Sequence, residues 1–228
     1  MGIRDIDPGF LNDRSLLGEH RELHAVFVII TEGKKGYSKH PETMRWRGCL
    51  GALSLRHGLI KEEMALRGFR HLSPVDKVTS HRSWPSLFID PPHRQYEILA
   101  GKYKDKMPGR IPLPRNAQEL WANHKYSIMA RSQALYRETG QIIASGEMTK
   151  DDLSLLLVRE LRKRPEAGDL RNVLLHMWGY ISGYSEKKPE EMEDYEMLSE
   201  IREKSGSRGV EYLLRSTALG ELGLWCGK

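Results

Sequence analysis

Asp13-Arg14-Ser15-Leu16-Leu17-Gly18-Glu19-His20-Arg21-Glu22-Leu23-His24-Ala25-Val26-Phe27-Val28-Ile29-Ile30-Thr31 is the stretch that decides the fold. Leu16, Leu23, Phe27 and Ile30 recur at the spacing that lines one face of a helix, and Asp13 is placed to cap its start. The spacing predicts a first long helix from Asp13 to about Thr31. A lysine-rich, glycine-punctuated loop follows, Glu32-Gly33-Lys34-Lys35-Gly36-Tyr37-Ser38-Lys39-His40-Pro41. A second helix is expected from about Glu42 to Arg67, with Met44, Leu55, Leu59 and Leu66 as its apolar positions and Gly68 at its end.

Between Arg70 and Arg115 seven prolines interrupt the pattern, leaving room for one helix near His93–Lys104. Trp84, Leu87, Phe88 and Ile89 in this stretch want burial, so it is expected to wrap the first unit. Helical periodicity returns at about 117–141, 150–163, 169–183, 189–204 and 208–219. With no strong strand signal and no internal repeat, the fold class is all-α. The expected organisation is an N-terminal helical domain, 1–115, packed with a C-terminal helical bundle, 116–228.

The bulk composition is that of a globular protein with ample length for a core. The net charge of +5 is unevenly spread: residues 1–117 hold 20 Lys+Arg against 13 Asp+Glu, whereas 118–228 hold 16 against 18. Any polyanion is therefore expected to meet the first half. No apolar run approaches the roughly 20 residues that span a bilayer, and no signal-peptide pattern is present. The two cysteines, Cys49 and Cys226, have no metal-ligand spacing, so a reducing cytoplasm is the expected location, with no membrane partner.

The chemistry-bearing pattern lies near the start of the chain. Met followed by Gly favours removal of Met1, which leaves Gly2 as an unhindered primary amine. With an ordinary pKa of about 7.7–8 such an amine is partly unprotonated near neutrality. An amine beside a carboxylate suffices to form an imine with a sugar aldehyde. Glu19, Glu22, Val26 and Ile29 share one helix face, which sets Glu22 at its polar edge, where partial desolvation raises a carboxyl pKa toward general-acid range. Arg4 and Arg21 are natural phosphate ligands. Lys34 and Lys35 in the loop, and Arg45 and Arg47 in the second helix, extend that basic set. The same residues also fit solvated helix faces.

Two other clusters stand out. His20 and His24 have the i, i+4 spacing of helical metal ligands, but no third ligand is evident, and they read as a solvated or packing pair. No metal and no cofactor is expected. In the second half His124, Lys125, Arg131, Arg171, Asn172 and His176 are polar residues set in apolar helices. They either satisfy one another and helix ends, or form a polar pocket for a base or phosphate.

Two resemblances sharpen this. Leu17-Gly18-Glu19-His20-Arg21-Glu22-Leu23 and Arg56-His57-Gly58-Leu59-Ile60-Lys61-Glu62-Glu63-Met64-Ala65-Leu66-Arg67-Gly68-Phe69 resemble the pyrimidine-dimer DNA glycosylase (endonuclease V-like) family. So do the opening Ile3-Arg4-Asp5-Ile6-Asp7-Pro8 and the turn Tyr37-Ser38-Lys39-His40-Pro41. The likeness implies a small helical DNA repair enzyme with glycosylase and AP-lyase steps and no metal. It implies Gly2 as the amine, Glu22 as the catalytic carboxylate, Arg21 and Arg4 as DNA contacts, and damaged double-stranded DNA as partner. Ser15 and Ala25 depart from the family pattern, which has a histidine and an arginine there. In the second half Trp121-Ala122-Asn123-His124-Lys125-Tyr126-Ser127-Ile128-Met129-Ala130 and Asn172-Val173-Leu174-Leu175-His176-Met177-Trp178-Gly179-Tyr180 resemble the YbgA-like domain of unknown function. That likeness implies a nucleobase or nucleic-acid connection. The alternatives to a DNA glycosylase are a non-catalytic nucleic-acid or nucleobase-binding protein, or an enzyme on modified nucleobases with its site in the C-terminal bundle.

Overall fold

A computed structural model describes residues 2–75 and 83–227, and every regular element among them is helical. Asn12, rather than Asp13, caps the first helix, α1 (Asp13–Thr31), its side chain accepting from the Ser15 amide. Asn and Asp are equally good caps, so periodicity alone does not separate the neighbours. The expected second helix is two: α2 (Pro41–Trp46) and α3 (Leu50–Leu66). The break falls at Arg47, Gly48 and Cys49, where Gly48 has a φ of 76°, a conformation only glycine adopts cheaply.

α4 (Pro92–Lys102) is the one helix among the described residues of the proline-rich stretch. Of the four apolar residues expected to be buried there, Trp84 and Phe88 pack against the core, while Leu87 and Ile89 remain exposed. The expected helix over 117–141 is divided into α5 (Ala117–Met129) and α6 (Gln133–Ser145), the second capped by Ser132. α7 (Lys150–Leu161), α8 (Ala167–Trp178), α9 (Asp194–Arg208) and the short α10 (Glu211–Leu214) and α11 (Ala218–Glu221) complete the chain.

α3 buries a face the apolar pattern does not reveal. Its inward side is Ala52, Leu53, Arg56, His57, Ile60, Glu63 and Met64, whereas Met44, Leu55, Leu59 and Leu66 lie outside or at the margin. Polar groups sit inside a fold only when paired. Arg56 is held by Glu19 of α1, and Glu63 accepts from Arg67 and Arg110. One hydrophobic core joins the first segment and α1–α4 to Leu120, Ile128, Ile143, Leu153, Leu157 and Val158 of α5–α7. A second core is built by α5, α8, α9, α10 and α11 around Val173, Leu174, Met177, Met197 and Ile201. α5 lends residues to both.

Asp7 lies beneath the first segment, accepting from the Gly9 amide at 2.7 Å. Burial, reinforced by the nearby Glu63 carboxylate, pushes its pKa from 3.8 up to about 7, against the pull of the Gly9 amide and Arg110. The folded state therefore binds more protons than the unfolded chain between those two values. Stability from this group is full below about 4 and falls as pH rises through 7, at most about 4 kcal/mol in total. Asp7→Asn keeps an acceptor for Gly9 and loses the charge. Its Tm is expected to exceed that of the parent by roughly 4–8 °C at pH 8, with the gain vanishing toward pH 4. A gain that is flat with pH, measured by thermal unfolding across that range, would refute the assignment.

Candidate active site

The first residues are bolted to the helices by a set of arginines. Arg56 donates through Nε and Nη2 to Glu19 Oε1 at 3.0 and 2.6 Å, and through Nη1 to the Ile6 carbonyl at 2.8 Å. Arg4 Nη1 reaches the other oxygen of Glu19 at 3.4 Å. Asp5 receives Arg45 at 2.9 Å, Arg162 at 2.7 Å and the Gln95 amide at 2.9 Å, and its own N–H donates to Gln95. Arg45 also holds the Ile3 carbonyl. Six charged side chains, Arg4, Asp5, Glu19, Arg45, Arg56 and Arg162, thus fix the path of residues 3–6.

That path carries Gly2 past Glu42 of α2. A Cβ at position 2 would lie 3.2 Å from Glu42 Oε2, a tight contact that places residue 2 directly beside this carboxylate. Glu42 is buried, its Oε1 accepting from Trp46 Nε1 at 2.7 Å, and burial raises its pKa. Glu22 is half-buried, as its place at the edge of the helix face implies. Burial raises its pKa, reinforced by Glu19 and opposed by Arg4 and His40. Glu42 in turn feels Glu22. Glu19, Glu22, Glu42, Gly2 and Arg4 form one neighbourhood. Glu19 and Glu42 are taken up in internal pairs. Glu22 is the member whose carboxyl is partly open to solvent and biased toward holding a proton.

The predicted phosphate ligands divide. Arg21, Lys34, Lys35 and Arg47 are exposed. Lys34 pairs loosely with Glu32, and Arg47 donates to the Ser38 carbonyl. Arg45 is not free: its side chain is 4% exposed and committed to Asp5, so it acts on the first segment and not on a polyanion. Arg4 is partly exposed and shared with Glu19. The lysine-rich loop ends in a surface concavity of about 530 Å³ lined by Lys35, Tyr37, Ser38, Lys39 and His40. Tyr37 stands 76% exposed and holds a φ of 55°, an uncommon backbone for a residue with a side chain.

The histidines depart most from expectation. The fold brings His57 of α3 and His71, just past α3, against His20 and His24. The Nε2 atoms of His20 and His24, His24 and His57, and His57 and His71 are each 3.2 Å apart. Burial lowers the His57 pKa to about 3 and that of His20 to about 4, with mutual repulsion adding to it. His24 and His71 shift the same way, and both meet the Ser73 backbone. The third and fourth partners come from distant sequence, which is why spacing within one helix did not reveal them.

The residues suggested for a C-terminal pocket do not converge. His124 is buried in the first core, stacked on Phe10 at 5.5 Å with Nδ1 on the Leu120 carbonyl, whereas His176 is exposed. Arg171 ties down the segment before α9 through Met192, Pro189 and Asp194, and Arg131 is locked to Glu221. Asn172 is partly buried on α8. Lys125 alone meets new company: its Nζ lies 4.9 Å from the Tyr212 ring, which stacks on Tyr180 at 4.7 Å. Tyr212 lies outside the quoted motifs, and no local signal marks it.

No helix among the described residues is long and apolar enough to cross a membrane. Neither a curated protein nor a solved structure matches the chain. Family models do match, in two separate parts: residues 1–77 match the pyrimidine dimer DNA glycosylase family, and residues 125–214 match a family of proteins of unknown function, DUF1722.

Proposed function

We propose that the chain is a DNA repair glycosylase with AP-lyase activity on damaged pyrimidines, its nucleophile the amine of Gly2 after removal of Met1 and its acid/base Glu22. The observation that carries this reading is the arginine-held path of residues 3–6, which sets Gly2 against Glu42 in the neighbourhood of Glu22. The amine bonds to C1′ of the deoxyribose as the glycosidic bond breaks and the base departs with one added proton. Glu22 gives a proton to O4′ as the ring opens to the iminium. Its carboxylate then takes a proton from C2′, the C3′–O bond breaks to expel the phosphate, and water releases the sugar and restores the amine.

Exposed Arg21, Lys34, Lys35 and Arg47 supply phosphate contacts. Reaching C1′ inside a duplex requires distortion or flipping, and Tyr37 on the lysine-rich loop is suited to stack where a base has left. Tyr37→Ala is expected to weaken binding to a lesion duplex by about tenfold or more, with an unchanged Tm. Equal affinity, read by fluorescence anisotropy, would remove Tyr37 from the reading.

The direct test uses two duplexes, one with a cyclobutane pyrimidine dimer and one with an abasic site. Cutting of both is the expected result. Cutting of the abasic duplex alone would keep the lyase and overturn the dimer as substrate. Cutting of neither would leave a non-catalytic nucleic-acid-binding protein as the reading.

A further inference from the structure

The geometry points to a metal site in the first unit: His20, His24, His57 and His71 together bind one divalent first-row transition-metal ion through Nε2. Each side chain offers one ring nitrogen, and the four atoms all lie within 4.8 Å of one another. Three of the separations are 3.2 Å. For bonds of about 2.0–2.1 Å, the edge of a tetrahedral nitrogen shell is roughly 3.3 Å, so those contacts have the length that a shared cation imposes.

Hydrogen bonding among the imidazoles does not explain the arrangement equally well. Each Nε2 carries either one N–H or one in-plane lone pair. Along the chain of contacts from His20 through His24 and His57 to His71, two donors satisfy two contacts. The third is then left with lone pair facing lone pair, or hydrogen facing hydrogen, or it must share a donor. A cation at the centre accepts all four lone pairs at once. Imidazole ligands favour zinc, iron, nickel and copper ions over magnesium and calcium, which prefer oxygen.

The ligands come from three places: two from α1, one from α3, and His71 from the segment after α3. On α1, His20 and His24 project away from the face shared by Glu19 and Glu22. The ion thus clamps α1 to α3 from the side opposite the proposed active carboxylate, and its role is to hold the scaffold. It is independent of the imine reading.

The test is titration of the chelator-stripped full chain with Zn²⁺ and Co²⁺, with Mg²⁺ as control. About one Zn²⁺ per chain is expected, with a raised Tm and no response to Mg²⁺. His24→Gln and His57→Gln are each expected to weaken binding by at least about tenfold. If either variant fails to fold, X-ray absorption of the zinc-loaded parent decides instead: a shell of about four imidazole nitrogens near 2.0–2.1 Å is predicted. Substoichiometric binding, undiminished affinity in both folded variants, or a shell with fewer than three nitrogens would overturn the site.

Discussion

Glu19→Ala is expected to lower the unfolding free energy by about 3–5 kcal/mol, the largest stability effect of any single substitution considered. Arg56 is 2% exposed, and Glu19 accepts both its Nε and its Nη2. Removing the carboxylate leaves a guanidinium inside the core with only the Ile6 carbonyl to satisfy it. For a chain of this length the loss corresponds to a Tm fall of roughly 6–20 °C. Glu19→Gln keeps an acceptor oxygen toward Arg56 and is expected to cost less, though it weakens the hold on Arg4. Because Arg56 and Arg4, held by Glu19, help fix residues 3–6, residual strand cutting at a permissive temperature should fall as well. Denaturant titration measures the effect directly. A change below about 1 kcal/mol would mean that the buried pair does not tie the first segment to α1 and α3.

Glu22→Gln is the complementary case, with the largest expected effect on chemistry and a small one on stability. Glu22 is half-buried and lies beside the paired carboxylates Glu19 and Glu42. The amide is nearly isosteric but can neither give nor take the proton. Strand cutting at an abasic site is expected to slow by about 10²–10⁴-fold, the range for loss of a positioned acid/base, while Tm stays within about 2 °C of the parent. Glu42→Gln provides the contrast. An oxygen of the amide still accepts from Trp46, so a modest loss of activity is expected. A Glu22→Gln enzyme that cuts within threefold of the parent rate would require another acid/base.

Much of the fold is legible in the sequence because most of these helices announce themselves by the periodicity of their apolar residues, although the Ser132 cap that divides α5 from α6 lies inside a stretch whose period runs on. The failures share a physical cause. Period reading assumes that the inward face is apolar, and α3 turns Arg56, His57 and Glu63 inward. Those residues are stable there only through Glu19, Arg110, Arg67 and the other histidines, none of which is near them in sequence except Arg67. Arg45, which the sequence offers as a phosphate ligand, differs for the same reason. A basic side chain shows in the sequence, but its burial against Asp5 does not. The placement of Glu22 at the edge of a helix face was recoverable, since it depends only on local spacing. The four-histidine cluster was half legible: the i, i+4 pair on α1 is local, and its completion by His57 and His71 is tertiary.

The imine mechanism depends first on the amine of Gly2. The decisive measurement is borohydride reduction of the protein on an abasic-site duplex, using chains whose free N-terminal Gly2 has been verified, followed by peptide mass mapping. The predicted result is a covalent adduct carried by the peptide that begins at Gly2. No adduct, or an adduct on a lysine such as Lys34 or Lys35 with Gly2 unmodified, would contradict it.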